Sequence, residues 1–179
     1  MAVTRIIWLD PGEKVGWATA TLDHDHYVPC FPETPEHPYD VVIQTMPTLT
    51  IEKHGISHLK DMALALHRAV VLEDKYDVVG YESWRLATGK AKQLGGNDMQ
   101  SSQFIGMVRL CAWLNPRVKI VDQAPAAMKT ADKIIPSLYP EIHELIKKAP
   151  KSHDESHDTS ALRHLAKWHW DKYVGNSKG

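Results

Sequence analysis

The sequence predicts an α/β domain, a sheet flanked by helices, and three observations carry that expectation. Five short apolar or β-branched runs alternate with segments of helical period, in the order strand–strand–strand–helix–strand–helix–strand–helices. The run from Thr4 to Leu9 lacks polar alternation and ends in four successive apolar residues, which suits a strand covered on both faces. At 179 residues and 43% hydrophobic content, the chain can bury one sizeable core, so a single domain over 1–179 is expected.

Pro11-Gly12 stops the first strand and turns the chain, and Val15 to Thr21 returns as its partner. Asp10 therefore ends a buried strand, where ligands bind in sheets flanked by helices. Gly16, opposite, would leave space beside the carboxylate for an ion or a phosphate. Asp before Pro-Gly also simply opens turns. Residues 22–39, with His24, His26, His37, Pro29, Pro32, Pro35 and Pro38, read as an irregular insertion. His24-x-His26 has metal-capable spacing, although alternate histidines in a polar loop are more often solvated. Asp40 to Met46 reads as a third strand.

Ile56 to Val71 has one apolar stripe at helical spacing, through Leu59, Met62, Leu66 and Val70. Tyr76 to Glu82 is a buried strand with Glu82 at its end; if it runs parallel to the first, Glu82 emerges beside Asp10. Arg85 to Asn97 is a Gly/Lys-rich loop, Asp98 to Leu114 a helix stopped by Asn115-Pro116, and Val118 to Val121 a fifth strand. A short helix begins over Gln123 to Lys129, with Pro125 in its first turn, and another spans Ser137 to Lys148. Ser152-x-x-Glu155 has the form of a capping box, opening a last helix to about Tyr173, with 174–179 as a tail. Its stripe of Ala161, Leu162, Leu165 and Trp168 extends backward through Asp158 to Asp154 and Glu155. A helix dipole favours acids in a first turn. Acids on a buried face, however, need a partner, and a cation is the natural one.

Net charge of −1 and a pI near 6.8 give no global basic signature, so nucleic-acid binding needs a local patch. Two cysteines, Cys30 and Cys111, argue against a disulfide framework or a Cys-type zinc site and fit a reducing compartment. No run approaches the ~20 apolar residues of a membrane span, and the first strand follows the initial Met without a signal peptide. A cytoplasmic protein with no membrane partner is expected. Carboxylates from three separate elements suit hard cations, Mg²⁺ or Mn²⁺, bound with water and phosphate. Two such ions, about 3.5–4 Å apart, serve phosphodiester hydrolysis.

Ile7-x-Leu9-Asp10-Pro11-Gly12 with Gly16-Trp17-Ala18 resembles the opening of RuvC-type Holliday-junction resolvases, in the RNase H-like nuclease superfamily. Val78-Val79-Gly80-Tyr81-Glu82 is similar to their second catalytic strand. Gln103-x-Ile105-Gly106-x-Val108-Arg109 and Gln123-x-Pro125-x-x-x-Lys129 are similar to segments of the phage-encoded branch. His157-Asp158-x-Ser160-Ala161-Leu162-Arg163-His164 is similar to the closing helix. The resemblance implies a five-stranded mixed sheet, a homodimer, two Mg²⁺ or Mn²⁺ ions, and paired nicks across a four-way DNA junction. A phage-encoded protein would act in the host cytoplasm.

Carried over by position, the resemblance makes Asp10 and Glu82 catalytic metal ligands. The family places an acid or His, then two residues, then Asp before Ala-Leu. Here those slots hold His157 and Ser160. Either Asp158 takes the acidic role, with Asp154 or Glu155 as its metal-binding partner, or His157 contributes to catalysis. Lys129 would contact the scissile phosphate. Arg85, Lys90 and Lys92, in the loop leaving Glu82, would follow the DNA backbone, and Trp84 would stack on an exposed base or pack in the core. Helix 98–114 is the candidate dimer surface. Two alternatives keep the fold: a nuclease acting on flaps or RNA–DNA hybrids, and an inactive DNA-binding module. A two-lobed sugar-kinase or actin-like binder is excluded by length.

Overall fold

The computed structural model describes residues 2–30, 44–83, 100–149 and 156–175. β1 (Val3–Asp10), β2 (Lys14–Cys30) and β3 (Gln44–His58) form an antiparallel meander, and β4 (Val78–Glu82) and β5 (Lys119–Gln123) add parallel strands beyond β1. The sheet order is β3-β2-β1-β4-β5. The helices are α1 (Leu59–His67), prolonged by a π-helical turn over Arg68–Leu72, α2 (Gln100–Leu114), α3 (Ala127–Leu138), α4 (Pro140–Lys148) and α5 (Ser156–Trp170), which ends in a second π turn over Asp171–Gly175. This is the mixed five-stranded sheet flanked by helices that the sequence predicts.

Alternate residues of β1 feed two cores, which explains its unbroken apolar run. Ile6 and Trp8 pack under α3, α4 and α5, against Ile135, Ile142, Leu162 and Leu165. Ile7 and Leu9 pack under α1 and α2, against Met62, Leu66, Phe104 and Val108. Gly80 sits mid-strand because a Cβ there would lie 2.2 Å from the Trp8 ring. Arg5 and Asp77 pair at 3.0 Å where β4 enters the sheet. No helix among the described residues is long and apolar enough to cross a membrane.

Three boundaries differ from expectation. β2 continues to Cys30, so His24, His26 and Pro29 lie in a strand rather than an irregular insertion. The ladder tolerates them through irregularities between Thr19/Ala20 and Asp23/Tyr27. His24 bonds Thr4 Oγ1 at 2.9 Å and His26 bonds Asp23 at 2.7 Å. The remainder of 22–39, His37 included, lies outside the described residues. β3 runs on to His58, pairing Ile56 with Gly16, so the first helix begins three residues later than its apolar stripe suggests. α3 opens at Ala127 rather than over Gln123, which ends β5, and it runs through Ser137 to Leu138, so the next helix starts at Pro140.

His169, fully buried in the α5 core, bonds the Tyr139 hydroxyl at 2.8 Å. Burial pushes its imidazole down to about 4 from 6.5. Between those values the unfolded chain takes a proton that the folded chain refuses. Stability is therefore full above pH 6.5 and falls as pH drops towards 4, by on the order of 3 kcal/mol. His169→Gln, which keeps a partner for Tyr139 but does not titrate, should lose less stability than wild type when urea unfolding is compared at pH 7 and 4.5. Equal losses would exclude His169 as the source.

Candidate active site

β1 and β4 run parallel in the register Leu9↔Tyr81, so Asp10 and Glu82, each one residue further on, leave the sheet at the same edge. Both line an open cleft of about 630 Å³ together with His157, Ser160, Asp132 and Arg163. The turn after Asp10 is held by Ser101, whose hydroxyl donates to the Pro11 carbonyl at 3.2 Å. The end of β4 is tied to β5 through the Ser83 N–H, which donates to the Gln123 carbonyl at 2.7 Å. Both acids thus stand on braced strand ends.

α5 covers this edge. A Cβ on Gly16 would fall 2.0 Å from the His157 carbonyl oxygen, so the first turn of α5 sits directly on the β2 backbone. The space expected beside Asp10 at Gly16 is therefore filled by helix backbone, and the open volume lies on the opposite side, towards β4. That seating places His157 Nδ1 2.8 Å from Asp10 Oδ2. One turn on, the Ser160 hydroxyl donates to Glu82 Oε2 at 3.4 Å, and after a further turn His164 Nε2 reaches the same oxygen at 3.0 Å. Burial alone would raise the Glu82 pKa, but the hydrogen bonds it accepts from His164 and Ser160 outweigh it and hold its carboxyl below the ordinary value.

Asp158 does not join them. Its Oδ2 lies 3.2 Å from His54 Nδ1 on β3, and its Oδ1 accepts the Thr159 N–H. The inward stripe of α5 is broad. Residue 158 lies on the flank over β2 and β3, whereas 157, 160 and 164, spaced by three and four, share the flank over β1 and β4. Inward direction was legible, but which strands lay beneath was not. Lys129 is exposed on α3 beside Met128 and does not line the cleft. Asp154, Glu155, Arg85, Lys90, Lys92 and Trp84 lie outside the described residues.

Four residues in or behind the cleft wall escaped sequence reasoning: Arg163 and Asp132 line it, and His164, fully buried, and Gln123 stand behind Glu82. His164 and Arg163 sit in the closing-helix motif, and only their distance from Ser160 on a helix hinted at them. Gln123 pairs in register with Glu82, so its place at the same edge followed from a parallel β5. Asp132 on α3 accepts from Arg163 Nε at 2.7 Å and gave no sequence signal.

Two carboxylates with a hydroxyl and an imidazole beside them form a hard donor set suited to one divalent cation with water. Among the described residues no group of three or more His, Cys, Asp or Glu is arranged to hold a metal ion. The described donors alone therefore do not make a second site.

No protein-family model matches the chain, and comparison with curated proteins finds no sequence match. Solved structures do match. Thermus thermophilus RuvC in complex with a Holliday junction substrate aligns with TM-score 0.50 and 14% identity, over 94% of this chain and 95% of that one. The fowlpox virus Holliday junction resolvase aligns at 0.50 and 12%, over 96% and 99%. The yeast mitochondrial Holliday junction resolvase Ydc2 aligns at 0.53 and 10%, over 98% and 82%. At these identities the likeness is one of fold, and the fold is the RNase H-like one of RuvC-type resolvases.

Proposed function

We propose that the protein is a divalent-metal-dependent endodeoxyribonuclease that cuts branched DNA, with the four-way junction as its substrate. The observation that carries this reading is the convergence of Asp10 and Glu82 at one rim of a sheet whose fold is that of junction resolvases. Asp10 and Glu82 would hold the cation, which when bound supplies an activated water and charge stabilisation for phosphodiester hydrolysis. A second Mg²⁺ or Mn²⁺ would draw on Asp154 or Glu155. His157 keeps Asp10 oriented through its Nδ1 contact. Arg163, at the cleft wall, would exchange Asp132 for a DNA phosphate. Lys129, with Arg85, Lys90 and Lys92 of the Gly/Lys-rich sequence that follows Glu82, would contact the flanking phosphates, which positions the DNA without reading its sequence.

Digestion of a four-way junction, a flap, an RNA–DNA hybrid and a linear duplex with Mg²⁺ or Mn²⁺ tests this. Paired nicks confined to the junction support the proposal, and preferential cutting of the flap or hybrid moves the substrate. Ser160 in a slot where the resemblance places an acid favours a second reading, an inactive DNA-binding module. Junction binding without cleavage by either metal would select it.

A homodimer completes the proposal. α2 presents Leu110, Trp113 and Leu114 to solvent beside Leu64 and Leu72 of the α1 segment, and Trp113 is 77% exposed. Among the described residues a Cβ on Gly106 would meet nothing within 4 Å, so the helix face there is open to a second backbone. An apolar band of that kind is expected to be covered. Trp113→Asp should convert the protein to a monomer in analytical ultracentrifugation with its melting temperature little changed. An unchanged mass, or a monomeric wild type, would place the interface elsewhere or remove it.

A further inference from the structure

Gln123 ends β5 in register with Glu82, and its side chain lies against α5. With the amide oriented by its partners, the nitrogen donates to His164 Nδ1 (2.9 Å) and to the His164 carbonyl (3.0 Å), while the oxygen accepts the Trp168 N–H (3.1 Å). In the opposite orientation the oxygen lies 2.9 Å from His164 Nδ1 but also faces the His164 carbonyl, and the nitrogen faces the Trp168 N–H, two contacts the amide cannot use. Residues 164 and 168 are one turn apart, so the amide spans the carbonyl and N–H that an α-helical turn brings together. An amide nitrogen only donates. His164 Nδ1 must then accept, and the single proton of the neutral ring sits on Nε2. That proton points at Glu82 Oε2, 3.0 Å away, from a side chain with no exposed surface.

We propose that Gln123 and His164 are a positioning relay for Glu82: Gln123 fixes the imidazole tautomer, and His164 donates to one carboxylate oxygen so that the other faces the cleft. The Ser160 hydroxyl also reaches Oε2, which leaves Oε1 as the oxygen neither donor engages. A ligating carboxylate constrained from behind loses less freedom on binding a cation than one free to rotate. The relay rests on reading the cleft as a metal site, and it uses residues from β5 and α5 that do not themselves touch the cation.

Two measurements test it. In metal-free protein with ¹⁵N-labelled histidine, His164, assigned by its loss in His164→Gln, should be protonated on Nε2 and bare on Nδ1 at neutral pH. Any other protonation overturns the relay. Titration with Mn²⁺ alone, followed by electron paramagnetic resonance of the free ion, supplies the second. His164→Gln keeps an N–H donor of similar reach and should bind Mn²⁺ within about threefold of wild type, whereas His164→Leu should bind about 10–100-fold more weakly. If both variants fail to fold, Gln123→Met, which leaves His164 in place, should lose the fixed tautomer and weaken Mn²⁺ binding; a retained tautomer would overturn the relay. A wild type that binds Mn²⁺ while His164→Leu binds equally well overturns the relay and leaves the cleft reading standing. A wild type that takes up no Mn²⁺ overturns both.

Discussion

Asp10→Asn should abolish junction cleavage, by on the order of 10³-fold or more, while junction affinity and thermal unfolding stay close to wild type. A neutral hydrogen-bond donor at a catalytic site is commonly worth 10²–10³ in rate, and a full ligand charge facing a divalent cation exceeds that. Binding survives because DNA affinity comes from cations contacting phosphates, and removing one buried negative charge does not weaken it. Folding survives because Asn keeps the shape and still accepts from His157 Nδ1, 2.8 Å away in the native protein. Single-turnover cleavage beside a mobility-shift titration checks both halves. Loss of binding together with cleavage would assign Asp10 a structural role.

Gly16→Ala should destabilise the protein by about 3 kcal/mol, the upper end of the range for small-to-large changes, and should lower the melting temperature by roughly 6–12 °C for a chain of this size. The new Cβ would lie 2.0 Å from the His157 carbonyl oxygen and 2.7 Å from the Asp158 nitrogen, all backbone atoms of α5 that cannot swing aside. The first turn of the helix must lift. Lifting it carries His157 away from Asp10 and Ser160 away from Glu82, so Mn²⁺ binding should weaken alongside stability. Thermal unfolding by circular dichroism measures the first effect. A variant melting within 2 °C of wild type would mean that α5 does not rest on β2 as described.

The acids at the ends of β1 and β4 were legible because their strands announce themselves. Ile6 to Leu9 admits no polar face, and Val78 to Tyr81 repeats that pattern, so both strands had to be central and parallel neighbours were the natural guess. The strand reach of 22–30 was not legible. Three histidine or proline residues in that stretch break every short-range β signal, and pairing with a distant partner, Tyr27 to Pro47 and Val28 to Met46, overrides it. Asp158 was misplaced for a geometric reason. A helix lying across four strands buries a stripe wide enough to face two different regions, and sequence spacing gives the stripe without the strands under each flank. His164 and Gln123 were hidden for a related reason: their roles exist only once β5 is set beside β4 and α5 is laid across both.

The measurement that bears most directly on the central claim is the anomalous scattering of Mn²⁺ diffused into crystals of the protein. A peak between the Asp10 and Glu82 carboxylates, lost in Asp10→Asn, is the predicted result. A metal bound only elsewhere, at the Asp158–His54 pair for example, or no ordered metal at all, would contradict the assignment of the β1–β4 rim as the catalytic centre.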